Sequence, residues 1–146
     1  MITKWDTRFM KIAMQVSTWS KDPSTRIGAV IVKDRRIIST GYNGFPEGIE
    51  DNARLDDRDI KYRYVIHAEL NAILNAAKNG VQLEGSEIYV YGLPTCCDCA
   101  KAIIQSGIKK VFYTFPGDHE LPEKWRESFE HSSAMYKETG VIFERI

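Results

Sequence analysis

The chain has 146 residues, with 20 Lys and Arg against 20 Asp and Glu, no formal net charge at pH 7 and a pI near 6.8. That length can bury a core without disulfide staples and predicts a single domain over residues 1–146. The balanced charge argues against a broad basic face gripping a nucleic-acid backbone through many phosphates, whereas a small anionic ligand needs only one or two donors.

In chain order, Trp5, Phe9, Ile12, Val16 and Trp19 recur at helical spacing, which predicts a helix over 4–20 with one buried face. That stretch lacks the apolar centre of a cleavable leader, and no segment approaches a membrane span, so a cytoplasmic protein away from membranes is expected. "RIGAVIVKDRRIISTGYN" predicts two strands joined by a tight turn at Asp34–Arg35. Residues 43–61 are polar, carry Gly44, Pro46 and Gly48, and read as a loop long enough to suggest function. "HAELNAILNAAKNG" sets Leu70, Ile73, Leu74 and Ala77 on one helical stripe and stops at Asn79–Gly80. "SEIYVYG" then predicts a strand, 97–106 a short helix and "KKVFYTF" another strand. A helix follows over 123–138 with Trp125, Phe129 and Tyr136 inward, and "VIFERI" forms the last strand. Helices alternating with apolar strands predict an α/β sandwich around a mixed sheet.

All three cysteines fall within "LPTCCDCA". In a reducing compartment such a cluster points to metal binding or catalysis rather than to disulfides. Residues three apart share one side of a helical turn, which selects Cys96 and Cys99 and turns Cys97 away. Zinc takes four ligands, so this pair needs partners from elsewhere. Among the three histidines, His119 in "PGDHELPE" and His131 on the polar side of a helix read as solvated. His67 opens an apolar helix directly after "YRYVI", and Glu69 follows it. Residues two apart on a regular helix diverge by about 200°, so His67 and Glu69 share a site only if His67 stands at the helix entry.

Taken singly, each feature has an ordinary explanation: a capping histidine, an acid favouring the helix dipole, or a redox C-x-x-C pair. Together, H-A-E followed by P-T-C-x-x-C matches the zinc deaminase signature, with Thr95 as one extra residue between the proline and the first cysteine. A neutral imidazole and two thiolates balance Zn²⁺ and leave a fourth position for water, whose pKa the metal lowers. Glu69 can then move a proton from that water to the ring nitrogen and on to the departing ammonia. The cysteines stand at a helix N-terminus, which favours thiolate. This chemistry needs no organic cofactor.

Four further blocks, "SKDPSTRIGAVIV", "GYNGFPEGI", "KYRYVIHAELNAI" and "CCDCAKAIIQSGIKKV", resemble those of the deoxycytidylate deaminase family in the cytidine and deoxycytidylate deaminase superfamily. The resemblance covers most of the chain and implies a three-layer α/β/α sandwich with a five-stranded mixed sheet. It implies His67, Cys96 and Cys99 as zinc ligands, Glu69 as proton shuttle, Asn43 at the deoxyribose and the backbone near Ala68 at the pyrimidine edge. Ser24, Thr25 and Arg26 fall where the family approaches the phosphate; the alternative for Arg26 is a solvated arginine at a strand start. The activity implied is conversion of dCMP to dUMP and ammonia, supplying thymidylate synthesis. The implied assembly is a homo-oligomer, hexamer or dimer, with dCTP (and Mg²⁺) and dTTP as effectors. Relatives with a structural zinc carry extra Cys and His residues that this sequence lacks, so one zinc per chain is expected. Some relatives also place a nucleotide-contacting tyrosine after the "KKVFYTF" strand, where this chain has "PGDHELPEKW"; its nearest tyrosine, Tyr113, lies within the strand. The alternatives are a deaminase of free cytidine, deoxycytidine or another small amino-base. A tRNA deaminase would want a basic face, and a non-catalytic zinc module would have no use for Glu69.

Overall fold

Strand residues that alternate between two apolar surfaces set the layers of this molecule. A computed structural model describes residues 1–116, 121 and 123–146. The strands are β1 (Gly28–Lys33), β2 (Arg36–Tyr42), β3 (Glu87–Tyr91), β4 (Lys110–Thr114) and β5 (Ile142–Arg145), in the order β2-β1-β3-β4-β5. β1 pairs antiparallel with β2 and β3, while β3, β4 and β5 run parallel. The helices are α1 (Lys4–Ser17), α2 (Arg58–Tyr64), α3 (Ala68–Lys78), α4 (Cys97–Gln105) and α5 (Glu123–Thr139).

Successive strand residues point to opposite faces. Ala29, Ile31, Ile88 and Val90 therefore join one core with Ala68, Ala72 and Ala76 of α3, Ile103 of α4 and Tyr136 of α5. Val30, Val32, Tyr89 and Phe112 join the other, against Phe9, Met10, Ala13 and Val16 of α1. The result is the expected α/β/α sandwich around a five-stranded mixed sheet. Among the described residues no helix is long and apolar enough to cross a membrane.

The tight turn at Asp34–Arg35 is present, with both residues in the left-handed region (φ 51° and 62°). That is the conformation required by a two-residue hairpin turn matched to strand twist. α1 opens on a capping box. Thr3 Oγ1 accepts from the Asp6 N–H at 3.3 Å, and the Asp6 carboxylate accepts from the Thr3 N–H at 2.8 Å.

Three expectations need correction. The N-terminal helix ends at Ser17, and Ile12 and Trp19 are exposed; Phe9, Met10, Ala13 and Val16 form its buried face. On α3, Leu74 and Ala77 are exposed and Leu70 and Ile73 half-buried, whereas Ala68, Ala72 and Ala76 face the sheet. The reason is a close approach: a Cβ on Gly41 of β2 would collide with Ala68 O and Ala72 N, so only methyl side chains fit between helix and sheet. Finally, the long loop 43–61 contains a 3₁₀ turn, Ala53–Asp56, and the start of α2. α2 is short and polar, so it carries no apolar period. Its signal is the cap Asp57, whose Oδ1 accepts from the Asp59 and Ile60 N–H groups.

Candidate active site

Two helices of the same layer begin at one place, and each begins through a single extended residue. His67 (φ −66°, ψ 152°) precedes α3, and Cys96 (φ −72°, ψ 165°) precedes α4. The His67 side chain makes no capping bond to its own helix. Its Nδ1 instead lies 3.3 Å from Cys96 Sγ and 3.5 Å from Cys99 Sγ. Cys96 Sγ also accepts from the Cys99 N–H at 3.5 Å, as an N-cap. Because His67 stands outside the regular turns, it can line the same cavity as Glu69 although the two are only two positions apart. The helix-entry condition set by the sequence is met.

Cys97 takes no part in this group. It lines a separate surface hollow with Lys101 and His131, and its N–H donates to Ser128 Oγ at 2.8 Å. His131 is exposed, with Nε2 3.8 Å from Glu127. His119 lies outside the described residues.

The donor set fits a tetrahedral zinc. Zn–N and Zn–S bonds of about 2.0 and 2.3 Å give a nitrogen–sulfur edge of about 3.5 Å, close to the two separations above. All three donor atoms lie within 4.8 Å of one another. The electrostatics agree. Hydrogen bonding to Cys99 and then to His67, against the cost of burial, draws the Cys96 thiol down to about 4. The bond to Cys96 is the main cause that raises His67 to about 9. Cys99 is pushed up, first by its bond to Cys96 and then by burial. A cluster that shares a proton between imidazole and thiolate has the charge to hold a metal cation in its place.

Glu69 is 3% exposed, and burial lifts its carboxyl to about 7; the Cys96 charge adds to the rise while His67 opposes it. Ala68, between His67 and Glu69, is fully buried. The cavity they share, about 120 Å³, is also lined by Ser24, Thr25, Ile27 and Asn43, by Arg58, Lys61 and Tyr62 of α2, and by Lys124, Trp125 and Phe129 of α5.

The sequence-derived contacts are thus partly gathered. Asn43 is on the wall, with Oδ1 accepting from the Ile27 N–H (2.9 Å) and Nδ2 donating to Thr25 O (2.8 Å). Ser24 and Thr25 line the cavity. Arg26 is exposed outside that lining and turns its Nε back to Asp22 O at 3.4 Å. The buried cation here is Lys61, which sequence reading missed. Its Nζ is 3.2 Å from Asp22 Oδ1, and both side chains are under 10% exposed. The same Asp22 oxygen accepts from the Ser24 and Thr25 N–H groups at 2.8 and 3.1 Å. One carboxylate therefore ties the 22–25 loop to α2. The only sequence signal for this was the cap Asp57 ahead of "RDIKYRY".

The family model for the cytidine and deoxycytidylate deaminase zinc-binding region matches residues 3–115. Deoxycytidylate deaminase of Mus musculus is 39% identical over 151 aligned residues, covering 97% of this chain and 79% of that protein. A deaminase from the luxG 3′ region of Aliivibrio fischeri is 47% identical, covering 97% and 92%. The crystal structure of dCMP deaminase from cyanophage S-TIM5 in complex with dCMP and dUMP superposes with a TM-score of 0.80 at 29% identity, covering 100% of this chain and 99% of that one. With His67, Cys96 and a buried glutamate lining one cavity of such a sandwich and Cys99 completing the donor group, the chain belongs to the cytidine and deoxycytidylate deaminase family.

Proposed function

We propose that this protein hydrolyses dCMP to dUMP and ammonia with zinc as cofactor, and so supplies dUMP for thymidylate synthesis. The observation that carries the reading is Glu69, a buried carboxyl whose pKa is raised to about 7, in the same cavity as His67 and Cys96, which Cys99 completes as a donor group. His67 Nδ1 and the Sγ atoms of Cys96 and Cys99 would hold the zinc. When bound, zinc supplies Lewis acidity, which makes water a usable nucleophile near neutral pH.

Glu69 does the proton work. One Oε atom takes a proton from the attacking water as oxygen bonds to C4 of the pyrimidine, and delivers it to N3. The carboxylate then takes the proton left on the C4 hydroxyl and gives it to the exocyclic nitrogen, so that the C4–N bond breaks, the C4 carbonyl forms and ammonia leaves. A carboxyl titrating near 7 is suited to both directions of transfer. Burial excludes bulk water from this exchange.

Recognition falls to the rest of the cavity. Trp125 and Phe129 supply apolar surface for the pyrimidine, next to the backbone of Ala68. Asn43 Oδ1 keeps a second lone pair after accepting from Ile27, and can take a sugar hydroxyl. Ser24 and Thr25, with the cationic Arg58, Lys61 and Lys124, provide donors for the phosphate. Arg26 serves at the outer edge of the same loop.

The chain acts as one domain over 1–146, in the cytoplasm, as a homo-oligomer. Exposed Trp19, Ile37, Tyr42 and Leu74 give it apolar surface to cover. The family resemblance supports regulation by dCTP with Mg²⁺ and by dTTP.

The test is kcat/KM for dCMP, CMP, deoxycytidine and cytidine, with and without dCTP and Mg²⁺. A hydrogen bond to a charged group is worth ~1.5–3 kcal/mol, so dCMP, with its phosphate, should exceed deoxycytidine by about tenfold or more. Equal turnover of both under every condition overturns the deoxycytidylate reading in favour of a nucleoside deaminase.

A further inference from the structure

The turn that delivers Cys96 is gripped from behind by one face of α5. Cys96 itself is committed forward, its sulfur lying toward His67 and accepting from the Cys99 N–H. Its two neighbours in sequence are committed backward. The Cys97 N–H, one of the donors that a helix start leaves without an intrahelical partner, goes to Ser128 Oγ at 2.8 Å. The Thr95 carbonyl accepts from Ser132 Oγ at 2.8 Å, a hydroxyl that also reaches Ser128 O at 3.1 Å. The Thr95 side chain exchanges a hydrogen bond of 2.8 Å with the Tyr136 hydroxyl. Ser128, Ser132 and Tyr136 are spaced four apart and so stand on one face of the helix. Ser132, Tyr136 and Thr95 are fully buried.

Packing alone does not call for such residues. A hydroxyl carried into a core is costly unless bonded, and alanine or phenylalanine would fill the same space without that cost. Each of the three hydroxyls is spent on residue 95 or 97, the pair flanking the ligand.

We infer that the Ser128–Ser132–Tyr136 face of α5 is a clamp that positions Cys96 for the metal by holding the peptide on both sides of it. This rests on the zinc-site reading. The three are positioning residues; none lines the cavity that holds Glu69. The clamp sets how long the thiolate stays within reach of a metal that dissociates for a moment, and therefore how slowly zinc escapes.

The experiment uses zinc-loaded protein and follows zinc transfer to a chromophoric chelator, with dCMP turnover and Tm measured in parallel. Outer partners of metal ligands are worth ~10–100-fold in affinity or activity. Ser132→Ala and the double variant Ser128→Ala/Ser132→Ala should thus release zinc about tenfold faster or more. Ser132→Thr, which keeps the hydroxyl, should release it at close to the wild-type rate. Tyr136→Phe removes one hydroxyl with little change of shape and keeps the test decisive if the serine variants fold poorly; it too should accelerate release. Wild-type release rates in Ser132→Ala and Tyr136→Phe, whatever their Tm, overturn the clamp. Failure of the underlying reading looks different: the wild type itself would hold no zinc or leave dCMP unchanged.

Discussion

At the end proposed to hold zinc, every side chain given a role lies within three positions of a helix entry: His67 and Glu69 at α3, Cys96 and Cys99 at α4. At the end proposed to hold the nucleotide, the lining comes from the loop before β1, from α2 and from the first turns of α5. The first is local geometry repeated twice. The second is assembled from segments far apart in the chain, joined for example by a buried ion pair whose partners, Asp22 and Lys61, are 39 positions apart. On the proposed reading, chemistry is therefore concentrated in short motifs, while recognition depends on how the layers pack.

The sharpest contrast comes from the metal end. Glu69→Gln should fold and hold zinc yet lose ~10²–10⁴-fold in kcat, because an amide cannot return a proton. Cys96→Ser and Cys99→Ser should lose zinc and turnover together, while Cys97→Ser keeps both. Metal analysis beside steady-state kinetics reads all four. Substantial turnover in Glu69→Gln would remove it from the chemistry, and a Cys97→Ser protein without zinc would break the local account.

Next in size is the pair that joins the nucleotide end. Lys61→Met leaves the Asp22 carboxylate buried without its cation, at about 3–5 kcal/mol. It also raises KM for dCMP while zinc content holds. Combining it with Asp22→Asn should cost less than Lys61→Met alone, since the amide oxygen still accepts from Ser24 and Thr25. Urea unfolding of the three proteins measures this. Lys61→Met at wild-type stability would show that the ion pair does not join the two segments.

Gly41→Ala probes how the ends are connected. Its methyl would strike the α3 backbone at Ala68 and Ala72, at about 1–3 kcal/mol of overpacking strain. Because that backbone carries His67 and Glu69, zinc release should quicken as Tm falls. A lowered Tm with release unchanged would separate the two effects.

The smallest effect lies far from either end. Burial alone would raise the Asp6 carboxyl, but bonds from the Thr3 backbone, the Tyr89 hydroxyl (2.7 Å) and the Thr3 side chain leave it below its ordinary value of 3.8. A depressed folded-state pKa contributes stability in full above the unfolded value and loses it as pH falls through the folded one. Tyr89→Phe should therefore flatten the loss of stability below pH 4 slightly and leave turnover at neutral pH unchanged. Unfolding midpoints against pH test it; an identical slope would discount the Asp6–Tyr89 bond.

What the sequence by itself determined are the features set by fixed periods over a few residues. A three-residue spacing put Cys96 with Cys99 and excluded Cys97. The angular divergence of residues two apart required His67 to stand at a helix entry. The apolar runs in "RIGAVIVKDRRIISTGYN" and "SEIYVYG" marked strands. Tertiary structure decided the rest, because it depends on distances between layers that no local period encodes. α3 turned its alanines rather than its leucines inward because Gly41 lets the helix settle directly on β2. α2 was invisible because its one buried side chain is a lysine, and a charge becomes an interior residue only when the fold brings Asp22 to meet it. The Ser128 and Ser132 hydroxyls of α5 likewise follow no apolar period that would announce them. They acquire a use only when Thr95 and Cys97 present backbone groups that, once buried, need partners.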